Sequence, residues 1–255
     1  MRRSVGAVHP LIEGAERLVI LTGAGISTDS GIQDFRGPNG LWTKDPEAEK
    51  RANLQYYVGD PEVRKGAWRA RVDAPLFRAE PNIGHIAIAE RAKRFGLHAL
   101  ITQNVDGLHQ AAGLDPWKVI EVHGTVHEWA CLSCGKGGPI QEALDRVRGG
   151  EDDPRCHDCG GILKTATISF GQNLVPEVIE RAFEVSAECD VLLCVGSTLA
   201  VYPVAGCVPE AKRQGARVII LNSHPTEMDG LADDVVRGQI AEHLPSMLGV
   251  EQFLT

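Results

Sequence analysis

Short apolar runs separated by polar loops dominate the hydrophobic pattern of this chain. The runs lack the alternation of a half-exposed strand, which predicts strands buried on both faces of a parallel sheet. Six such runs occur, at residues 18–21, 99–101, 119–122, 165–168, 191–195 and 218–221. Helical periodicity lies between some of them, at residues 84–94 and 177–187. Strands that alternate with helices predict an α/β fold with a doubly wound parallel sheet.

Small or polar residues follow most of these predicted strands. Ligands in doubly wound sheets bind at the carboxyl ends of the strands, so this pattern predicts a binding site along one rim of the sheet. The residues concerned are Gly23, Ala24, Gly25, Gln103, Asn104, His123, Gly196, Ser197 and Asn222.

Two stretches interrupt the alternation. Residues 41–90 are rich in Trp, Pro and charge, and residues 126–162 carry paired cysteines around a Gly-rich, acidic middle. We expect both stretches to fold together as a small lobe with helical and metal-binding modules. The larger domain then comprises residues 1–40, 91–125 and 163–255.

Four of the seven cysteines form two Cys-x-x-Cys pairs. Two such pairs brought together offer the tetrahedral sulfur site that zinc prefers, and four sulfurs leave no open position for substrate. The pattern therefore predicts one structural zinc bound by Cys131, Cys134, Cys156 and Cys159. A redox-active dithiol is the alternative, although one pair would suffice for it. Small buried core residues are expected at Cys189, Cys194 and Cys207.

The charge balance restricts the class of partner. The formal net charge is -8, and no run of Lys and Arg offers the basic surface that sequence-independent nucleic-acid binding requires. The sequence contains no stretch of about 18–20 apolar residues, which a membrane helix requires. An odd number of cysteines argues against a secreted disulfide framework. We expect a cytoplasmic enzyme, with some attraction for basic protein segments.

The glycine loop after the first predicted strand has two interpretations. Its glycines would let the backbone approach a pyrophosphate, but a plain strand-to-helix turn would also use them. Thr28 stands where the dinucleotide fingerprint of dehydrogenases requires its third glycine. A hydride-transfer enzyme is therefore disfavoured.

Longer motifs extend this loop into a recognisable pattern. Residues 23–36 read Gly-Ala-Gly-Ile-Ser-Thr-Asp-Ser-Gly-Ile-Gln-Asp-Phe-Arg, and residues 103–109 read Gln-Asn-Val-Asp-Gly-Leu-His. Together with His123-Gly124 and the cysteine pairs, in this order, they resemble the sirtuin family over essentially the whole chain. The sequence departs from the family pattern at Gln33, where proline is usual, and at Gln172, where glutamate is usual.

The resemblance implies a Rossmann-like domain that binds NAD as a co-substrate. It implies NAD-dependent removal of acyl groups, chiefly acetyl, from protein lysine, which yields nicotinamide and O-acyl-ADP-ribose. In this reading His123 is the general base, and Asn104 and Asp106 act beside it. Gln103 and Asn104 would contact the nicotinamide ribose, and Asp106 the carboxamide.

The remaining contacts implied by the resemblance fall on four segments. The NAD-binding loop would include Thr28, Asp34, Phe35 and Arg36 besides its glycines. Gly196 and Ser197 would contact phosphate and adenosine, and Asn222 the adenine ribose. The acyl-lysine peptide would lie against Phe170, Gly171 and Val201.

Other functions share many of these features. The same loop could serve an enzyme that passes ADP-ribose to protein or water, and a zinc-stabilised NAD sensor would not need a base. A histidine at a strand end can also be purely structural. Sirtuins that favour acidic acyl chains share a Tyr-x-x-Arg pair, where this chain has Trp68 and Arg71. We therefore expect an acetyl or longer apolar acyl group, and Trp68 can equally be a core residue.

Overall fold

The computed structural model of this chain describes residues 8–34, 40, 45 and 50–254. The strands are β1 Leu18–Thr22, β2 Ala99–Thr102, β3 Val119–Glu121, β4 Gly124–Cys131, β5 Gly137–Pro139, β6 Leu163–Thr167, β7 Val191–Val195, β8 Arg217–Leu221 and β9 Asp234–Val236. The α-helices are α1 Leu54–Gly59, α2 Pro61–Val72, α3 Ile83–Phe95, α4 Leu108–Ala111, α5 Ile140–Arg148, α6 Pro176–Glu188, α7 Cys207–Arg213 and α8 Ile240–Met247. Short 3-10 helices include Ala24–Ser30, directly after β1. Within these described ranges, no helix has the length and apolarity needed to cross a membrane.

The main sheet has six parallel strands in the order β3-β2-β1-β7-β8-β9. The chain starts at β1, proceeds to one edge and then returns to build the other half outward from β7. This arrangement is the doubly wound order of dinucleotide-binding sheets, whose switch point lies between the two central strands. The predicted parallel doubly wound sheet is confirmed.

Alternate residues of each central strand enter different cores. Leu18 and Ile20 of β1 pack in the core that includes residues of α3 and α8, whereas Val19 and Leu21 pack in the core that includes residues of α6 and α7. All five residues of β1 are buried, and so are those of β7. Burial on both faces explains why these strands are continuous apolar runs in the sequence.

The predicted main-sheet strand at residues 165–168 is wrong. Residues 165–167 of this segment belong to β6, which pairs antiparallel with β4 in a separate three-stranded sheet ordered β5-β4-β6. The sixth strand of the main sheet is instead β9, a half-buried edge strand of three residues. An apolar run indicates that a strand is buried but does not identify its neighbour in the sheet. Strand β9 is too short and too polar to form such a run.

The two predicted insertions pack against each other. Trp68 of α2 is fully buried in one core with Cys131, Leu144 of α5 and Leu163 of β6. Apolar contact between a helical segment and the cysteine-bearing segment therefore forms a second, smaller core. The division of the chain into a large domain and a small lobe remains a prediction.

An ion pair reinforces this second core. Helix α2 begins at Pro61, where the Asp60 side chain accepts the backbone N–H of Glu62. One turn later, Arg64 donates to both carboxylate oxygens of Asp153 over 2.9–3.1 Å, and also to the carbonyls at residues 57 and 58. Only 4% of the Arg64 side chain is exposed. A bidentate pair of this kind adds a defined geometry between the two side chains to their electrostatic attraction.

We expect Arg64→Met to lower the free energy of unfolding by about 3 kcal/mol, because it leaves the shielded Asp153 carboxylate with Arg155 as its one ion-pair partner among the described residues. Arg69 on the same helix is the matched control, since its pair with Asp152 spans 3.7 Å and both side chains are more than half exposed. Arg69→Met should cost less than about 1 kcal/mol. Urea denaturation of both variants measures the difference, and equal losses would contradict this account.

Candidate active site

Two loops meet at the switch point of the main sheet. Beyond β1, the N–H of Gly23 donates to the carbonyl of Val195, and that of Gly25 to the carbonyl of Gly196, over 3.0 and 2.9 Å. A Cβ on Gly25 would lie 2.8 Å from the Gly196 backbone, and Gly196 itself has φ +63°. Glycine at these positions therefore permits the contact between the two loops, whatever ligand they hold.

The predicted rim residues lie in a row across the sheet. His123, Gln103, Gly23, Gly196 and Asn222 follow the carboxyl ends of five neighbouring strands, in the order β3, β2, β1, β7 and β8. Parallel strands bring their carboxyl ends to one edge, so residues far apart in sequence lie along the same rim of the sheet.

Ser27 joins two of the predicted catalytic residues. Asn104 Nδ2 donates to Ser27 Oγ over 3.0 Å, and Ser27 Oγ donates to Asp106 Oδ2 over 2.7 Å. The other Asp106 oxygen accepts the backbone N–H of Leu108. All three side chains are buried, with 1–7% of each residue exposed. Sequence reasoning missed Ser27, although it lies inside the motif at residues 23–36.

His85 contacts the same network on the side of Ser27, and the sequence analysis did not identify this residue either. The backbone N–H of Asn82 donates to His85 Nδ1, so the ring proton resides on Nε2, 3.4 Å from Ser27 Oγ. Burial lowers the pKa of His85 to about 4, against the opposing effect of Asp106. The ring is therefore neutral at pH 7.

His123 has a defined tautomer. Its Nδ1 lies 2.9 Å from the carbonyl oxygen of Gln103, which can only accept, so Nδ1 carries the proton and Nε2 keeps its lone pair. Burial lowers the pKa of His123, and the Gln103 carbonyl partly opposes this effect. The imidazole is thus a neutral base at pH 7.

Gln103 links the region of His123 to the loop after β7, because its Nε2 donates to Ser197 Oγ over 2.8 Å.

The other predicted NAD contacts lie at the end of β8 and in the loop after β1. At the end of β8, Asn222 is half-buried and its side chain donates to the carbonyl of His224. Thr28 is exposed and caps the carbonyl of Gly25, and Asp34 is half-buried. Phe35 and Arg36 lie outside the described residues.

The segment predicted to contact the peptide is anchored on one side. The N–H of Phe170 donates to the carbonyl of Ala52, and its carbonyl accepts from the N–H of Leu54. Gly171 is exposed with φ +78°, and Val201 is half-buried. The backbone at residues 52–54 thus holds the segment that follows β6.

The four paired cysteines converge as predicted, with all sulfur atoms within 4.8 Å of one another. The Sγ atoms of Cys131 and Cys159 are 3.5 Å apart, and those of Cys134 and Cys156 are 3.8 Å apart. Ligands at about 2.3 Å from a tetrahedral zinc stand about 3.8 Å apart, whereas a disulfide requires about 2 Å. The donor set and its spacing therefore fit a structural zinc. The other three cysteines are buried, as predicted, in the core that includes residues of α6 and α7, called the main core below; they are Cys189, Cys194 and Cys207.

Comparison with known proteins agrees with this geometry. The model of the Sir2 family matches residues 23–203, and the chain belongs to this family. A relative from Streptomyces coelicolor, "NAD-dependent protein deacetylase 2", is 49% identical over 92% of this chain and 98% of its own. A Pyrobaculum aerophilum relative, "NAD-dependent protein deacetylase 1", is 40% identical over 94% and 92%.

Solved structures give the same assignment of fold. One titled "Sir2-p53 peptide-NAD+" has a TM-score of 0.84 and 31% identity, over 95% of this chain and 96% of that one. Another, "Sir2 bound to acetylated peptide", has a TM-score of 0.83 and 30% identity, over 96% and 97%.

We expect purified protein to contain about one zinc per chain, and Cys131→Ala or Cys156→Ala to lose it and unfold at lower temperature. Cys194→Ala is the control, because this buried cysteine belongs to the main core and not to the sulfur cluster. It should retain the metal. Elemental analysis with thermal melting measures both quantities, and a stable zinc-free protein under gentle reducing conditions would overturn the assignment.

Proposed function

We propose that this chain is an NAD-dependent protein deacetylase, which removes acyl groups, chiefly acetyl, from protein lysine and releases nicotinamide and O-acyl-ADP-ribose. The observation that carries the proposal is the neutral His123, with Nε2 unprotonated, at the rim of the sheet that also carries the Asn104–Ser27–Asp106 network. Membership of the Sir2 family and relatives named for this activity support it.

The hydrogen bonds of the rim residues support the roles that the family resemblance implies for them. When bound, NAD supplies a ribose carbon that accepts the acyl oxygen and a nicotinamide that leaves. Asn104 donates its amide N–H to Ser27, which leaves the amide oxygen to accept a ribose hydroxyl. Asp106, held by Ser27, contacts the carboxamide of nicotinamide. His123 Nε2 accepts the proton of the ribose hydroxyl that takes over the acyl group.

The other contacts extend along the same rim. The pyrophosphate side of NAD is held by the loop that follows and by the glycine turn, which contains Gly23, Ala24, Gly25 and Thr28. The adenosine side is held by Gly196, Ser197 and Asn222. The acyl-lysine peptide lies as an extended strand between Phe170–Gly171 and the segment that carries Val201. Main-chain pairing of this kind tolerates many sequences.

A cytoplasmic location belongs to the same proposal. An odd number of cysteines, with a sulfur cluster suited to zinc, supports a reducing compartment.

Analysis of the products tests the activity directly. Incubation with NAD and an acetyl-lysine peptide should yield free lysine peptide, nicotinamide and O-acetyl-ADP-ribose, identified by mass spectrometry. ADP-ribosylated peptide, or free ADP-ribose alone, would instead establish ADP-ribosyl transfer or NAD hydrolysis.

We expect His123→Ala to lower the rate of deacetylation by about 10²–10⁴-fold with NAD affinity largely retained, because the base is lost and the glycine loop is untouched. The neutral imidazole is the active form, so activity falls as the pH drops through its pKa. Since burial lowers that pKa, the acid limb of the kcat/KM profile should lie below pH 6.5. A near wild-type rate in the variant would refute the assigned role.

We expect acetyl-lysine to exceed succinyl-lysine in kcat/KM by at least about tenfold on one peptide, since a desolvated carboxylate needs a dedicated partner. Trp68 is fully buried in the small core, and the Arg71 guanidinium donates to the carbonyl of Ala67 on its own helix over 3.0 Å. Arg71→Ala should leave the ratio unchanged, as should the exposed control Arg69→Ala. A succinyl preference that disappears only in Arg71→Ala would contradict this selectivity.

A further inference from the structure

A second buried histidine lies behind the site and has no role in the mechanism above. His109 follows the Asp106 loop on α4, and only 1% of it is exposed. Its ring meets that of His85 edge to face, with centroids 4.9 Å apart. Whereas His85 reaches Ser27, His109 Nε2 lies 3.0 Å from the hydroxyl of Thr22, at the end of β1.

The hydrogen bonds from His109 have a fixed direction. Thr22 Oγ1 donates its only proton to Thr102 Oγ1 over 2.9 Å, so it accepts from His109 and the ring proton resides on Nε2. Thr102 Oγ1 also accepts the backbone N–H of Asn104 over 3.1 Å. A relay of two strand-end hydroxyls therefore connects His109 to the backbone of Asn104.

The other ring nitrogen of His109 indicates that this relay is not simply packing. Nδ1 is buried, and the described part of the chain offers it no hydrogen-bond partner. An unpaired buried nitrogen is unfavourable, and an apolar side chain would avoid this penalty. Burial also holds the pKa of His109 well below its ordinary value, with His85 adding to the effect. The ring therefore presents the same N–H to Thr22 throughout the neutral pH range.

Asn104 is thereby held at two points. Thr102 accepts the backbone N–H of Asn104, and Ser27 accepts one of its two side-chain N–H groups, so the amide is oriented with its oxygen left to accept a substrate hydroxyl. We propose that His109 is a positioning residue for Asn104, acting through Thr22 and Thr102, and that the rate of deacetylation depends on this relay. The proposal rests on the proposed function, in which Asn104 contacts the ribose.

Paired substitutions separate the relay from packing. His109→Leu removes the ring donor and Thr22→Val removes the hydroxyl, each at similar volume. His109→Gln retains a donor, and Thr22→Ser retains a hydroxyl. We expect the first pair to lower kcat about five- to tenfold with the KM for acetyl peptide unchanged, as the loss of one orienting hydrogen bond predicts. The second pair should stay within about twofold of wild type. All four are assayed at least about ten degrees below their measured melting temperatures.

A double-mutant cycle tests whether the effect passes through Asn104. In an Asn104→Ala background, measured by single-turnover product formation, His109→Leu should change the residual rate less than twofold. The proposal is overturned if the same five- to tenfold loss persists there, if His109→Leu retains the wild-type kcat, or if His109→Gln is as impaired as His109→Leu. Failure of the proposed function is distinct, because wild-type protein would then form no O-acetyl-ADP-ribose.

Discussion

The close approach of the β1 and β7 backbones at the switch point is the constraint on which the site depends. Hydrogen bonds from Gly23 and Gly25 to the residues that end β7 tie the two halves of the sheet together beyond their last paired residues. A side chain on Gly25 would collide with Gly196 and separate them. The 3-10 helix that begins there carries Ser27 to the network of Asn104 and Asp106, so this contact also sets the position of the candidate catalytic groups.

Burial and hydrogen bonds to fixed partners together define the protonation of three histidines. His123 donates to a carbonyl, His85 accepts a backbone N–H, and His109 donates to a threonine hydroxyl. Desolvation lowers the pKa of each, so all three are neutral at pH 7 with a single tautomer. Such groups at and behind the site keep their donors and acceptors in fixed positions, which favours recognition of a ligand with several hydroxyls and an amide.

The second sheet links the sulfur cluster to the candidate active site, although the cluster itself is not part of that site. Strand β4 starts directly after His123 and ends at Cys131, and β6 pairs with it and leads to Phe170. The N–H of Ile168 also donates to the carbonyl of His123 over 2.7 Å. A closed set of four sulfurs therefore stabilises the strands that flank the base and the expected peptide segment, and its contribution to activity is indirect.

The sequence by itself determined the parallel sheet, the residues at its rim and a set of four cysteines suited to zinc, because buried runs, strand-end polar clusters and cysteine spacing are local patterns. Only the tertiary structure decided that residues 165–167 pair with β4, since an apolar run does not specify its neighbour. Ser27, His85 and His109 likewise acquire their roles from contacts with residues 58 to 87 positions away. Tautomers, shielded pairs such as Arg64 with Asp153, and the loop contact that requires glycine all depend on distances that a linear pattern does not encode.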